Sequence, residues 1–475
     1  MQTSRSLRTG PIPGHFRALA IPAAIGMVFS TLYNVVDVYF AGLLSTDAQA
    51  GLGITFQVFF FLIAFGVGLG NAMSALIGNA LGADDRDEAK RLACQGIGFA
   101  VILSFGLGVT GIWGSPAILG LVSEPGAYRD AAVSYMNIIL FAAPAFLLVS
   151  GMNGILSATG DTQTMKRAQI AAFFANIVLN PLFIFGVPGV LAGIGFDGIA
   201  LSTLVSQYGV LLFTVWRVRQ SEVLRHPGPA PWRPDLKSFR DILAQALPTT
   251  FAMMILLIAG FFIQYYLKSF GAAALAAYGV ALRIEQLILL PAFGLTGALL
   301  PIAAQNYGAK NFDRVREAVR FCCITGVILM LIGSTVLWFA ARPMMAVFTN
   351  DPDVIRIGGD YLHVDGFILP VYILVFTMNA FLQAVKRPMA TLWIGVYRQG
   401  IAIAVFTHIF VTVLGLGTWG VWFAILASVT SGLILSLYIS SRVANRLIGG
   451  LFVAKPNFSA PAQGGGTKVK DQNRG

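Results

Sequence analysis

The sequence predicts an all-α integral membrane protein: twelve transmembrane helices forming two six-helix repeats around a central cleft. Three observations predict this. Charged residues are 11% of the 475, where soluble domains carry about 25%. The apolar set reaches 56%, with 52 glycines besides, and a spanning helix needs roughly 20 apolar residues in a row. Finally, apolar runs recur between Gly, Pro and charged breaks and leave no stretch long enough for a large soluble domain.

The first run, residues 16–44, is too long for the apolar core of a signal peptide and shows no small-residue cleavage pattern before Pro22. It is expected to remain as span 1. Further spans are predicted to begin near Gly51, Arg91, Ala131, Thr164, Val190, Arg240, Ala274, Arg316, Gly358, Met389 and Gly417. The net charge of +11 raises the question of nucleic-acid binding, but the basic residues sit in loops and are not interleaved with aromatics on a soluble face. No nucleic-acid partner is expected. Of 32 Lys and Arg, 26 fall in the tails and the loops on their side of the membrane, against Arg129, Lys268, Arg342 and Arg356 opposite. Such a bias places both termini in the cytoplasm of a multi-pass cell-membrane protein, the inner membrane if the source is bacterial. Arg283 and Arg398 lie within spans.

This pattern divides the chain into a tail (1–15), a six-helix bundle (16–219), a cytoplasmic linker (220–239), a second bundle (240–445) and a disordered tail (446–475). The halves align at one fixed offset of 226, which pairs Pro22 with Pro248, Gly68 with Gly294, Asp87 with Asp313, Pro144 with Pro370 and Asn153 with Asn379. A single register catching Pro, Asn and Asp over more than a hundred residues marks a duplication. An even number of spans per repeat makes the halves parallel, related by an axis along the membrane normal. Two such bundles can rock about the cleft between them.

Chemistry-bearing residues inside spans are few. Ser30, Asn34 and Asp37 recur at spacings of four and three in span 1, which is expected to put them on one helical face. A carboxylate at the bilayer centre costs about 2.5–3.5 kcal/mol on insertion scales, so Asp37 either faces a polar cavity inside the first bundle or, late in its span, caps at headgroup level. Asn176 and Asn180 share a face of span 5, and Pro181 frees a backbone carbonyl one turn back. Their amides could serve a protonated Asp37 or a cation. Thr203 in span 6 adds an oxygen to the group or bonds its own i−4 carbonyl. Glu285 in span 8 is two positions from Arg283 and needs another partner; it lines the cleft or pairs with Arg398. Asp360 and Asp365, before Pro370, are expected near the outer mouth. Met27, Phe56, Phe60, Met152, Met253 and Met254 could form an adaptable substrate surface or pack against helices and lipid. Cys94, Cys322 and Cys323 are expected as packing residues, without zinc spacing.

Several stretches resemble the multidrug and toxic compound extrusion (MATE) transporters. They are NVVDVYFAGLLSTDAQAGLGI from Asn34, ALIGNALGADDRDEAKR from Ala75 and LSATGDTQTMKRAQIAAFFANIVLNPLFIFG from Leu156. In the second half they are RIEQLILLPAFGLTGALLPIAAQNYGAKNFDRVREAVR from Arg283 and GVWFAILAS from Gly420. The segment at Arg283 is similar to the prokaryotic branch named for DNA-damage-inducible protein F. The resemblance implies a two-lobe, twelve-helix exporter exchanging organic substrates for protons or sodium. It implies Asp37 as the cation-coupling acid and Thr203 as the span 6 threonine of the same site. In relatives proposed to bind sodium the position before Pro181 is typically a second aspartate, whereas here it is Asn180. Some branches carry acids in spans 7 and 10; span 7 here has none.

The expected function is a secondary antiporter exporting amphipathic, often cationic, organic compounds in exchange for protons rather than sodium. No cofactor or metal is expected, and the partners are small organic substrates and membrane lipid. A lipid-linked precursor flippase of the same superfamily would need a strongly basic cavity, which Arg283 and Arg398 alone do not make. An integral-membrane transferase would need clustered His, Asp or Glu, whereas His15, His226, His363 and His408 are scattered. The chain is therefore not expected to be an enzyme.

Overall fold

Every long apolar run becomes a helix, because backbone amides in lipid must be satisfied within their own segment. The computed structural model describes residues 6–123, 125–225 and 230–453. The first repeat holds α1 (Ile12–Leu44), α2 (Thr46–Gly82), α3 (Arg86–Val122), α4 (Ala127–Phe141), α5 (Ala143–Ala158), α6 (Gln163–Phe185) and α7 (Asp197–Arg219). The second holds α8 (Leu236–Lys268), α9 (Ala272–Gly308), α10 (Phe312–Ala346), α11 (Pro352–Ala384), α12 (Pro388–Gly395), α13 (Ile403–Thr407) and α14 (Gly417–Leu447). Helices α4 and α5 are one span bent by 47°, and residues 388–413 are one span interrupted by two π-helical turns. The described residues thus contain eleven spanning helices, or twelve with the bent pair joined.

Helix ends follow local chemistry. Ser45 caps α2 by accepting from the Ala48 amide, and Asp85, Asp235 and Asp351 do the same for α3, α8 and α11. The ends of α2 and α9 turn on Asp84 and Lys310, and those of α5 and α11 on Gly160 and Lys386. All four have positive φ, the left-handed conformation that commonly terminates helices. Each pair is separated by 226, so the duplication extends to backbone torsions.

The sequence expectation is corrected at several element ends. The sixth span begins at Asp197 rather than near Val190, because Gly186, Gly189 and Gly195 adopt positive φ and fold residues 186–192 into a two-stranded hairpin. Span 1 begins at Ile12, within the expected tail, and Leu7 ahead of it is fully buried. The last helix runs to Leu447, and residues 446–453 partly pack: Leu451 is buried and the Arg316 guanidinium donates to the Ile448 carbonyl. The remainder of the expected disordered tail, from 454 onward, and linker residues 226–229 lie outside the described residues.

The lobes meet through α1 on α9 and α2 on α8. A Cβ on Gly68 would fall 2.8 Å from the Ala246 carbonyl, and one on Gly294 would fall 2.8 Å from that of Ala20. These contacts are again 226 apart at both ends, and they let the backbones approach as small residues do between membrane helices. Among the described residues, Asn79 bonds Ala384, Gln305 bonds Ala158, and the lead-in to α1 bonds α9 and α10, while Arg91 and Gln95 of α3 bond the segment ahead of α8. All lie at the end where α1 starts, α2, α5, α9 and α11 finish, and both described termini emerge; we call it the terminal face.

Candidate coupling site

Asp37 lies on α1 seven residues before its end, and it is only 5% exposed. Its carboxylate meets α6 and α7. The amides of Asn176 and Asn180 both donate to Oδ1, each at 2.9 Å, and the Thr203 hydroxyl donates to Oδ2 at 3.3 Å. Pro181 in α6 cannot donate to the carbonyl of Ile177, which relaxes the helix beside the two asparagines. Asn180 also donates to Asn176 Oδ1 at 3.2 Å, while its own Oδ1 is buried without a hydrogen-bond partner.

A second layer was not anticipated from the sequence. Tyr33, one turn before Asp37, donates to Thr203 Oγ1 at 3.1 Å and its hydroxyl lies 2.7 Å from Ser206 Oγ. Ser202 Oγ accepts from Asn176 at 3.4 Å. Tyr135 of α4 is buried beside the group, tilted on Phe196 at 5.3 Å. The i to i+4 spacing of Tyr33 and Asp37 is the sequence signal for this layer, masked because tyrosine in a span reads as apolar. No Lys or Arg forms a salt bridge with Asp37 among the described residues, and every direct donor to its carboxylate is neutral.

The structure therefore brings together Asp37, Asn176, Asn180 and Thr203, but not Asn34. Asn34 is exposed, and its amide turns back to the Ser30 carbonyl at 3.2 Å. Residues three apart diverge by about 60° around a helix, and the border between the buried and exposed sides of α1 passes between Asn34 and Asp37. The substrate candidates scatter likewise. Met27 and Phe56 are exposed, Phe60, Met253 and Met254 half-buried. Met152 takes the packing alternative, 5% exposed in a cluster with Leu69 and Met73.

Glu285 of α9 sits in a separate polar cluster in the second lobe. Tyr361 donates to it at 2.5 Å, and no Glu285–Arg398 ion pair closes within 4.0 Å. Arg398, carried on the first π-helical turn, lies over the Tyr372 ring at 5.6 Å. Asp365 is not near the outer mouth: it is fully buried, within electrostatic reach of Glu285, and neither carboxylate oxygen has a hydrogen-bond partner. Because α11 begins at Pro352 rather than near Gly358, Asp365 lies more than three turns into the helix instead of in its first turns. Asp360 pairs with Arg342 at 3.9 Å.

Comparison with known proteins agrees with this architecture. A family model described as MatE matches residues 22–182 and again 248–409, the two repeats in register. The probable multidrug resistance protein NorM of Thermotoga maritima is 24% identical over 90% of this chain and 93% of its own. The FAD transporter of Shewanella oneidensis is 25% identical over 84% and 88%. The solved structure of a MOP superfamily transporter from Pyrococcus furiosus shares the fold with a TM-score of 0.86 at 24% identity, covering 94% of this chain and 98% of that one. An outward-facing multidrug resistance MATE transporter superposes with a TM-score of 0.85 at 24% identity, covering 93% and 98%. With both halves matched by the same family model, twelve spans in two repeats, and a buried polar group within the first lobe, the chain belongs to the MATE family of membrane transporters.

Proposed function

We propose that this transporter is an antiporter that exports amphipathic organic compounds in exchange for protons, with Asp37 as the acid that carries the coupling proton. One observation carries the reading: a deeply buried carboxylate held only by neutral amides and hydroxyls. Uncompensated charge inside a membrane protein is costly, so such a group binds a proton or a cation when water leaves. A proton needs one acceptor and one nearby oxygen. A hard cation draws most of its attraction from anionic oxygens, and the group supplies one carboxylate.

The named relatives support the export direction: one is called a probable multidrug resistance protein, another a multidrug export protein. Charge bias puts the terminal face in the cytoplasm. On this reading the two bundles rock so that each face opens in turn, and Asp37 exchanges its proton with the exterior when the face opposite the termini opens.

The test uses proteoliposomes loaded with a fluorescent organic cation. An imposed pH gradient should drive efflux in the wild type, and Asp37→Asn should abolish it while preserving expression and thermal stability, because the amide keeps the shape and loses the titrating proton. Full pH-driven efflux by Asp37→Asn would overturn the assignment.

A further inference from the structure

Ahead of α1, the chain does something its own repeat does not require. Leu7 is fully buried, and it belongs to the same apolar cluster as Leu299, Ile302, Val315 and Phe381 of the second lobe. Its backbone is satisfied by second-lobe side chains. The Leu7 amide donates to Gln305 Oε1 at 3.0 Å, and Asn306 donates to the Leu7 carbonyl at 3.0 Å. Arg314 of α10 donates to the Gly10 carbonyl at 2.9 Å and to Asn306 Oδ1 at 3.1 Å. Arg8 reaches the other way, to the Gly82 carbonyl at 3.2 Å and Asp84 at 2.6 Å in the α2–α3 turn of the first lobe. Residues 7–10 therefore bridge the turn that ends α2 and the turn that ends α9.

We propose that residues 7–10 are a strap across the terminal face: docked, it holds the lobes together there, and this face opens only when Leu7 leaves its socket. The proposal rests on the antiport reading above, with the bundles rocking so that this face opens once per cycle. Leu7 dominates the strap. Its burial and its two backbone hydrogen bonds leave water on docking, whereas the Arg8–Asp84 pair is 30% and 70% exposed and screened by solvent. The second repeat has a counterpart that docks in the opposite direction: Gln95 of α3 donates to the carbonyls of Pro231 and Arg233 and accepts from the Asp235 amide. Each repeat's lead-in segment thus grips the other repeat's side of the junction.

The ranking makes the proposal testable without a substrate. Spin labels go on Asp87→Cys and Glu317→Cys, exposed positions on the two lobes, after replacement of Cys94, Cys322 and Cys323 by Ala. Distances are measured by pulsed electron resonance in lipid nanodiscs. Amide exchange of residues 305–311 is followed in the otherwise unaltered chain, since it reports openings too rare to appear as a distance. Leu7→Ala should raise the open-to-closed ratio on the order of ten-fold or more, and Arg8→Ala by less than about five-fold. Arg17→Ala, on the exposed side of α1, should change neither.

If Leu7→Ala leaves both the distance distribution and the exchange rate at wild-type values, the strap is wrong. Equal opening by Arg17→Ala would also overturn it, since any loosening of α1 would then suffice. Efflux measured in parallel separates the two readings. A wild type without coupled efflux but with an opening response to Leu7→Ala removes the transport mechanism and keeps the strap; normal efflux with no response does the reverse.

Discussion

Gln305 donates from its side-chain amide to the carbonyl of Ala158 at 2.6 Å, and Asn79 donates to the carbonyl of Ala384 at 2.9 Å. Donor and acceptor in the first bond are each 226 positions from their counterparts in the second. Both acceptors are last residues of helices, where carbonyls lack intrahelical partners, and both donors come from the other repeat. The duplication is therefore a reciprocal clasp at the terminal face as well as a copied fold.

Because each clasp covers a buried helix-end carbonyl, loss of the donor leaves an acceptor unsatisfied, at about 1–3 kcal/mol. Asn79→Ala and Gln305→Ala should each lower the unfolding temperature in detergent. Gln305→Ala should cost more, since Gln305 also accepts from the Leu7 amide. Equal shifts in thermal unfolding would show that the Leu7 bond adds nothing.

Glycine packing supplies a sharper symmetry test. A Cβ on Gly82 would lie 2.1 Å from the Gln305 carbonyl, and one on Gly308 would lie 2.1 Å from that of Asn79. In both cases the obstacle is backbone. Gly82→Ala and Gly308→Ala should each destabilise by about 1–3 kcal/mol. Gly53→Ala and Gly279→Ala, also 226 apart, meet nothing within 4 Å and should be nearly silent in the same unfolding assay.

Much of this was legible beforehand, and the reasons differ by residue. Hydropathy located the spans because lipid leaves the chain no alternative to helix, and repeat register followed from Pro22 with Pro248 and Asn153 with Asn379. Asp37, Asn176, Asn180 and Thr203 stood out because polar groups in apolar runs are rare. Asn34 and Asp37 could not be separated, since which side of α1 is buried depends on α6 and α7, far off in sequence. Asp365 was misplaced because helix α11 starts earlier than its hydropathy suggested. The hairpin at 186–192 was hidden among apolar residues, its only signal being closely spaced glycines.

Glu285 and Asp365 offer a contrast with Asp37. Glu285→Gln preserves the acceptor for the Tyr361 hydroxyl, so it should leave a larger share of pH-driven efflux than Asp37→Asn. Asp365→Asn places an amide where no hydrogen-bond partner waits. Efflux kinetics in the same liposomes check the order, and loss with Glu285→Gln alongside retention in Asp37→Asn would move the coupling acid to the second lobe.

Outside the spans, one carboxylate gives a pH dependence with a definite sign. The Arg8 guanidinium, by hydrogen bond and charge, holds the Asp84 carboxyl below its ordinary value of 3.8. A depressed carboxyl stabilises the folded state above its unfolded pKa and loses that contribution as pH falls through the folded value. The Arg8–Asp84 tie should therefore be intact at neutral pH and weaken only below about pH 4. Comparing Asp84→Asn with wild type in thermal unfolding should show a small gap at pH 7, smaller in high salt, that closes under acid. A gap that widened on acidification would reverse the assignment.

The coupling ion can be argued from the oxygens around Asp37. A sodium ion there would meet one carboxylate, Thr203 Oγ1 and whatever amide oxygens can be turned toward it, and Asn180 Oδ1 is the one already lacking a partner. Neutral carbonyl oxygens are weaker ligands for a hard cation than a second carboxylate. For a proton, the same unpartnered Asn180 Oδ1 provides an acceptor once the amide relaxes its bond to Asp37. Asn180→Asp places a second negative charge on α6 beside the first, which should strengthen sodium binding, measurable by calorimetry in detergent, and make efflux respond to a sodium gradient. Wild-type efflux should persist in sodium-free buffer under an imposed pH gradient. If it vanished there and returned on adding sodium alone, the neutral amides would be sufficient ligands and the charge-counting argument would fail.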